Sequence, residues 1–376
     1  MPRRIDRVGM TRRETYLDWN ATAPLRPEAE AAIAQALALG GNPSSVHRRG
    51  RAARELVESA REAVAALAGA PADGVTFTSG GTEANHLALF GSGAERLLVS
   101  AVEHSSVLHA APDAERIPVD RDGIVDLAAL DALLAADRRP ALVSIMLANN
   151  ETGVIQPVRG AANVAHAHGA LLHCDAVQAA GKIPWRLGEI GADLATLSAH
   201  KIGGPAGVGA LVSSGVEVMP QLRGGGQERN RRAGTENLAG IAGFGAAARA
   251  ADPAEYARVL GLRDRLEAAL AGSAVIVGGD APRLPNTTAL AMPGVPAETQ
   301  VIGLDLDGVM VSAGAACSSG KVGPSHVMAA MAIAPELAGS TIRVSLGWST
   351  SEAEVAHFID AWTALYRRTR RARVAA

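Results

Sequence analysis

Cysteine is scarce: among 376 residues only Cys174 and Cys317 carry a thiol, so a disulfide framework is excluded and each sulfur has to be explained on its own terms. An excess of charge is also lacking. The 36 lysines and arginines are offset by 38 aspartates and glutamates scattered along the chain, which removes the basic footprint of a nucleic-acid binder and leaves small molecules and other proteins as the expected partners. Long apolar runs are missing too. The richest stretches, such as 141–148, are interrupted by polar groups well before the roughly 20 residues a membrane helix needs. The opening MPRRIDRVGMTRRETYLDW has early arginines but no apolar stretch that could form a signal-peptide core. A soluble, cytoplasmic protein with no membrane span is expected.

What is present is the alternation of an α/β protein. Val57, Ala60, Val64 and Leu67 recur at three- and four-residue steps, which predicts a helix over 54–68 with one apolar face. Short runs that are apolar on consecutive residues follow at 75–78, 97–100, 142–147, 171–174, 194–197 and 208–212, separated by helical stretches. Such runs suit strands buried on both faces of a mostly parallel sheet. The glycine- and arginine-rich segment 221–237 reads as a long surface loop, with Arg229, Arg231 and Arg232 as either a solvated group or an anion or partner surface. Beyond it, alanine-rich helices lead to sheet-like runs at 288–292 and 309–312. A large domain over 16–250 and a smaller C-terminal α/β domain over 251–376, preceded by an arm at 1–15, is the expected organisation.

Three segments carry chemistry. VTFTSGGTEA, from Val75, is a strand, a small-residue turn and a helix start, whose free amides and Thr82 hydroxyl form a phosphate cradle or, more plainly, a capped turn. LHCDAVQ puts Asp175 at the end of a buried strand, where it either caps a helix or pairs with a cation such as the pyridinium nitrogen of pyridoxal phosphate. LSAHKIGGP offers Lys201 between a strand and a glycine turn, a surface lysine or one placed for a Schiff base, with Ser198 and His200 within reach of a phosphate. Cys174, inside the strand run, reads as core packing. The remaining histidines show no metal-ligand spacing.

In order, FTSGGTEAN, VEHSSVL, ANNETGVIQP, HCDAVQ, LSAHKIGGP, GGGQERNRRAGTEN, SAGAACSSG and TIRVSLG run through most of the chain. This set resembles the cysteine desulfurases, of the NifS and IscS kind, in the class V branch of fold type I pyridoxal-phosphate enzymes. The resemblance implies a fold type I transferase architecture, a pyridoxal 5'-phosphate cofactor, L-cysteine as substrate and a homodimer with shared active sites. It implies that Lys201 binds the cofactor, Asp175 pairs with the ring nitrogen, and His104 stacks on the ring and moves protons. Asn150 and Gln178 would contact substrate or cofactor oxygen, and Gly81, Thr82, Ser198 and His200 the phosphate. Thr235 would reach the phosphate from the neighbouring subunit, and Arg343 would hold the substrate carboxylate. Cys317, in a loop of small residues, would attack the substrate sulfur and hold it as a persulfide for an acceptor such as an iron-sulfur cluster scaffold. The same scaffold also hosts selenocysteine lyases and aminotransferases, and a catalytically silent sulfur carrier is a reading from another class. Two departures stand out: Ala23 where many relatives have threonine, and a compact stretch at 70–74.

Overall fold

The computed structural model describes residues 14–314 and 325–374. It opens with β1 (Thr15–Tyr16) and then builds a seven-stranded sheet from β2 (Val75–Thr78), β3 (Arg96–Ser100), β4 (Glu115–Ile117), β5 (Ala141–Ser144), β6 (Leu171–Asp175), β7 (Leu194–Ser198) and β8 (Gly209–Ser213). The order across this sheet is β2-β8-β7-β6-β5-β3-β4. Only β8 runs against its neighbours, pairing antiparallel with both β2 and β7; β7, β6, β5, β3 and β4 pair in parallel. β5, β7 and β8 are buried at every position, which is why the sequence shows them as unbroken apolar runs.

Helices cover the faces, and small residues set their spacing. The helix Leu238–Ala250 packs on Pro27–Leu39 and Arg48–Ala68. A methyl group on Gly245 would lie 2.6 Å from Ala60, and one on Gly243 2.7 Å from Ile33, so the alanine and glycine content of these helices is what lets their backbones approach.

The later part of the chain forms a second, antiparallel sheet of β9 (Val275–Val277), β10 (Thr287–Ala291), β12 (Ser312–Ala313) and β13 (Thr341–Ser345), in the order β12-β13-β10-β9. A separate core fills it, with Phe358 and Trp362 of the long helix Glu352–Val374 fully buried against Leu290, Ile342 and Val344. Full burial of an aromatic side chain of this kind is worth about 2–3 kcal/mol. β1 belongs here as well: it pairs in parallel with β11 (Val309–Met310), and Leu17 is buried in this second core. The segment then passes along β13, where Asn20 N donates to Ser345 Oγ at 2.9 Å, and crosses to the large sheet. We propose a division of the chain near residue 250, between the helices Leu238–Ala250 and Glu255–Leu270, with this N-terminal crossing tying the two parts together.

Segment 221–237 is not simply solvated. Glu228, Arg229 and Asn230 have φ of 47°, 56° and 64°, a left-handed run that non-glycine residues adopt only when something holds it. The Glu228 carboxylate provides the hold: buried, it takes a two-pronged ion pair from Arg61 at 2.7 and 3.0 Å and the Phe77 amide at 2.8 Å. Of its arginines, Arg232 pairs with Glu83 at 2.8 Å and Arg231 donates to the Asp73 carbonyl at 2.7 Å, while Arg229 stays exposed, 3.6 Å from Glu58.

Candidate active site

Open parallel sheets leave a crevice beyond the carboxyl ends of their strands, and here the chain fills it with polar groups. Gly81 and Thr82 follow β2, His104 follows β3, Asn150 follows β5, Asp175 ends β6, and Ser198 and Lys201 end and follow β7. Arg343 enters from β13 of the other sheet. All of these, with Gln178 and His200, line one cavity of about 430 Å³. Of the remaining sequence-predicted site residues, Thr235 is exposed and does not line that cavity, and Cys317 lies outside the described residues.

The Lys201 amine is held over the N-terminal crossing, donating to the carbonyls of Asn20 at 2.5 Å and Ala21 at 2.8 Å. Burial, helped by the positive Arg343, brings its pKa down to about 8 against the pull of Asp18 and Asp175, so an appreciable fraction is a free amine near neutral pH. The Asp175 carboxylate accepts from Asn85 Nδ2 at 2.9 Å and from the Val177 amide at 3.0 Å. Asn85 also donates to Ser106 Oγ at 2.8 Å, and its own Oδ1 is buried without a partner among the described residues.

His104 caps the helix Ser105–Leu108: its Nδ1 accepts the Ser106 amide at 3.1 Å. With Nδ1 used as an acceptor, the neutral ring carries its proton on Nε2. Desolvation by the cavity walls holds this imidazole below its ordinary pKa, with Asp175 opposing and Lys201 adding to the effect. His200 lies beside Thr22 Oγ1 at 3.1 Å, and burial followed by Lys201 lowers it to about 4. It is therefore a neutral hydrogen-bonding group. Arg343 donates from Nη2 to Asp18 at 2.7 Å and from Nη1 to the Asn150 carbonyl at 3.2 Å, while its buried Nε has no partner among the described residues. A guanidinium with spare donors in a polar cavity is a receptor for a carboxylate.

Sequence reasoning did not single out Asn85, Ser106, Glu151 or His326, which line the same cavity. Asn85, Ser106 and Glu151 sit inside quoted motifs, but their roles depend on contacts that spacing does not show. Glu151 is buried, accepts from Ser325 Oγ at 2.6 Å, and is pushed up to about 7 by burial. His326 approaches the Glu103 carbonyl at 2.8 Å through Nε2. Glu103 is wholly buried beneath, accepting the Met146 amide, and burial raises its carboxyl well above the usual range. Cys174 is fully buried in the main core, where burial raises its thiol, as suits an inert packing residue.

An amine just past a strand end, with a buried carboxylate and an imidazole beside one sheet and a guanidinium reaching in from the other, is the arrangement of a class V aminotransferase, and the chain belongs to that family: the Aminotransferase class-V profile matches residues 15–358. Within it the chain groups with the cysteine desulfurases. It is 45% identical over 364 residues to a cysteine desulfurase of Cereibacter sphaeroides, covering 92% of this chain and 94% of that one. It is 41% identical to the cysteine desulfurase IscS of Dictyoglomus turgidum, covering 93% of each. Among solved structures, a NifS-like protein from Rickettsia africae superposes with a TM-score of 0.88 at 36% identity, covering 94% of this chain and all of that one.

Proposed function

We propose that the protein is a pyridoxal-phosphate-dependent cysteine desulfurase, converting L-cysteine to L-alanine and passing the sulfur through a Cys317 persulfide to an acceptor protein such as an iron-sulfur cluster scaffold. The observation that carries this reading is the convergence of Lys201, Asp175 and Arg343 on one cavity. The cofactor fits the residues present: a buried carboxylate for a ring cation, an amine partly neutral at working pH, and an unpaired Asn85 oxygen in the wall. The opening amides of the 11-residue helix Gly81–Gly91 add an anion seat.

In this reading Gly81, Thr82, Ser198 and His200 hold the phosphate, Asp175 the ring nitrogen, and Gln178 and Asn150 the neighbouring oxygens. When bound, pyridoxal phosphate supplies an electron sink for bonds broken at the amino acid. Arg343 holds the substrate carboxylate. Lys201 supplies the amine that joins the cofactor and, when freed, takes a proton from the α-carbon. His104, protonated on Nε2, moves protons at the ring face. Cys317 thiolate bonds to the substrate sulfur as the carbon–sulfur bond breaks, and one proton delivered to the β-carbon and another returned to the α-carbon complete alanine. Thr235 is assigned to the phosphate of a second subunit, which makes the working unit a homodimer, and the compartment is the cytoplasm.

The test is to mix the protein with L-cysteine and a reductant and measure both products. Sulfide and alanine should appear in equal amounts, and Cys317→Ser should abolish sulfide release while leaving the visible absorption of the bound cofactor. Undiminished turnover by that variant would refute the persulfide route.

A further inference from the structure

A second lysine lies behind the first and has no part in the reaction described. Lys182 is 2% exposed, four residues past Gln178 on the turns that follow β6. Its side-chain nitrogen donates to Gln178 Oε1 at 2.8 Å and to Asn20 Oδ1 at 3.0 Å. Both partners are neutral amides. Burial holds this amine well below the ordinary lysine range, and the positive Lys201 and Arg343 push the same way.

An aliphatic side chain would fill this space without the desolvation an amine suffers, so the hydrogen bonds are where its use lies. A carboxamide has one acceptor and one donor end. Because Lys182 occupies Gln178 Oε1, Gln178 must turn Nε2 toward the Asn20 carbonyl, which it meets at 3.0 Å. Asn20 is fixed in the same way. Its Oδ1 takes Lys182 and Asn286 Nδ2 at 3.1 Å, leaving Nδ2 for Thr287 Oγ1 at 2.9 Å and the Asn150 carbonyl at 3.2 Å. The backbone oxygen of Asn20, oriented by this set, is the one that receives Lys201 at 2.5 Å.

We propose that Lys182 is a positioning residue: through Gln178 and Asn20 it holds the carbonyl seat on which the Lys201 amine rests, and so sets the proton affinity of the reactive lysine without touching substrate. The inference rests on Lys201 being the cofactor lysine. The charged and titratable groups facing the two amines are Arg343, Asp18, Asp175, His104 and His200, and none is replaced when Lys182 is.

The test is Lys182→Met in the full-length chain before cofactor is added. The pH dependence of reductive methylation at Lys201, read by peptide mass spectrometry, gives its pKa. Loosening one acceptor of the charged amine should lower the value by about 0.5–1 pH unit relative to the parent. An unchanged value overturns the proposal, and so does a rise, which would mean Lys182 acts as a neighbouring positive charge. Should the variant fail to fold by circular dichroism, Gln178→Met cuts the same link from its other end; it should give the same fall, and an unchanged value there overturns the proposal equally. Failure of the underlying reading looks different: the parent chain would then take up no pyridoxal phosphate and leave Lys201 unmodified after borohydride reduction.

Discussion

Replacing Glu151 with glutamine tests whether the cavity wall holds a carboxyl group that keeps its proton near neutrality. Glu151 is 4% exposed. Burial raises it from 4.5 to about 7, more than the Ser325 hydroxyl and Arg343 pull it down. A carboxyl with a higher pKa in the folded state binds its proton more tightly there, so folding is unpenalised below the unfolded value and loses stability as pH rises through the folded one. The rise from 4.5 to about 7 corresponds to about 3 kcal/mol at about 1.4 kcal/mol per pH unit. Glutamine keeps an oxygen for Ser325 and cannot ionise. Glu151→Gln should therefore match the parent near pH 4.5 and exceed it by up to about 3 kcal/mol above about pH 8. Thermal unfolding of both proteins, followed by circular dichroism across that range, reads the difference directly. A gap that is independent of pH, or one that opens on the acid side, would refute the reasoning.

Three further outcomes are expected. Arg343→Lys loses the planar fork that reaches both Asp18 and the Asn150 carbonyl, and the KM for L-cysteine in sulfide-release kinetics should rise about 10–100-fold with a smaller change in kcat. Asn85→Leu removes the 2.9 Å bond to Asp175 and leaves that carboxylate less firmly aimed; pyridoxal-phosphate affinity, measured by fluorescence titration, should drop about tenfold, the equivalent of one charge-assisted hydrogen bond. Arg61→Met strips the buried Glu228 of its cation and should cost about 3–5 kcal/mol in unfolding free energy, with faster proteolysis within 221–237 once the left-handed run loses its anchor.

Much of the large sheet was legible because its strands are buried on both faces; β6 ends at Asp175, and Lys201 follows the end of β7, as sequence reasoning placed them. β4, a three-residue edge strand with one partly exposed and one exposed position, left no such signature. Nor did β1, whose pairing with β11 joins residues nearly 300 apart and rests on no local pattern. The same limit explains the site. Lysine and aspartate at or just past strand ends, and an arginine within a strand, advertise themselves by residue type, whereas Glu228, Lys182 and Glu151 take their meaning from partners far along the chain: Arg61, Asn20 and Ser325. Read one residue at a time, a glutamate in a glycine-rich loop is a solvated charge; only the fold turns it into an anchor.

The crossing of the N-terminal segment between the two sheets has a bearing on biosynthesis. Asn20 takes its orientation from Ser345 and Thr287, which follow it by 325 and 267 residues. A nascent chain that holds only the seven-stranded sheet therefore lacks a finished seat for the Lys201 amine until β10 and β13 have been made as well.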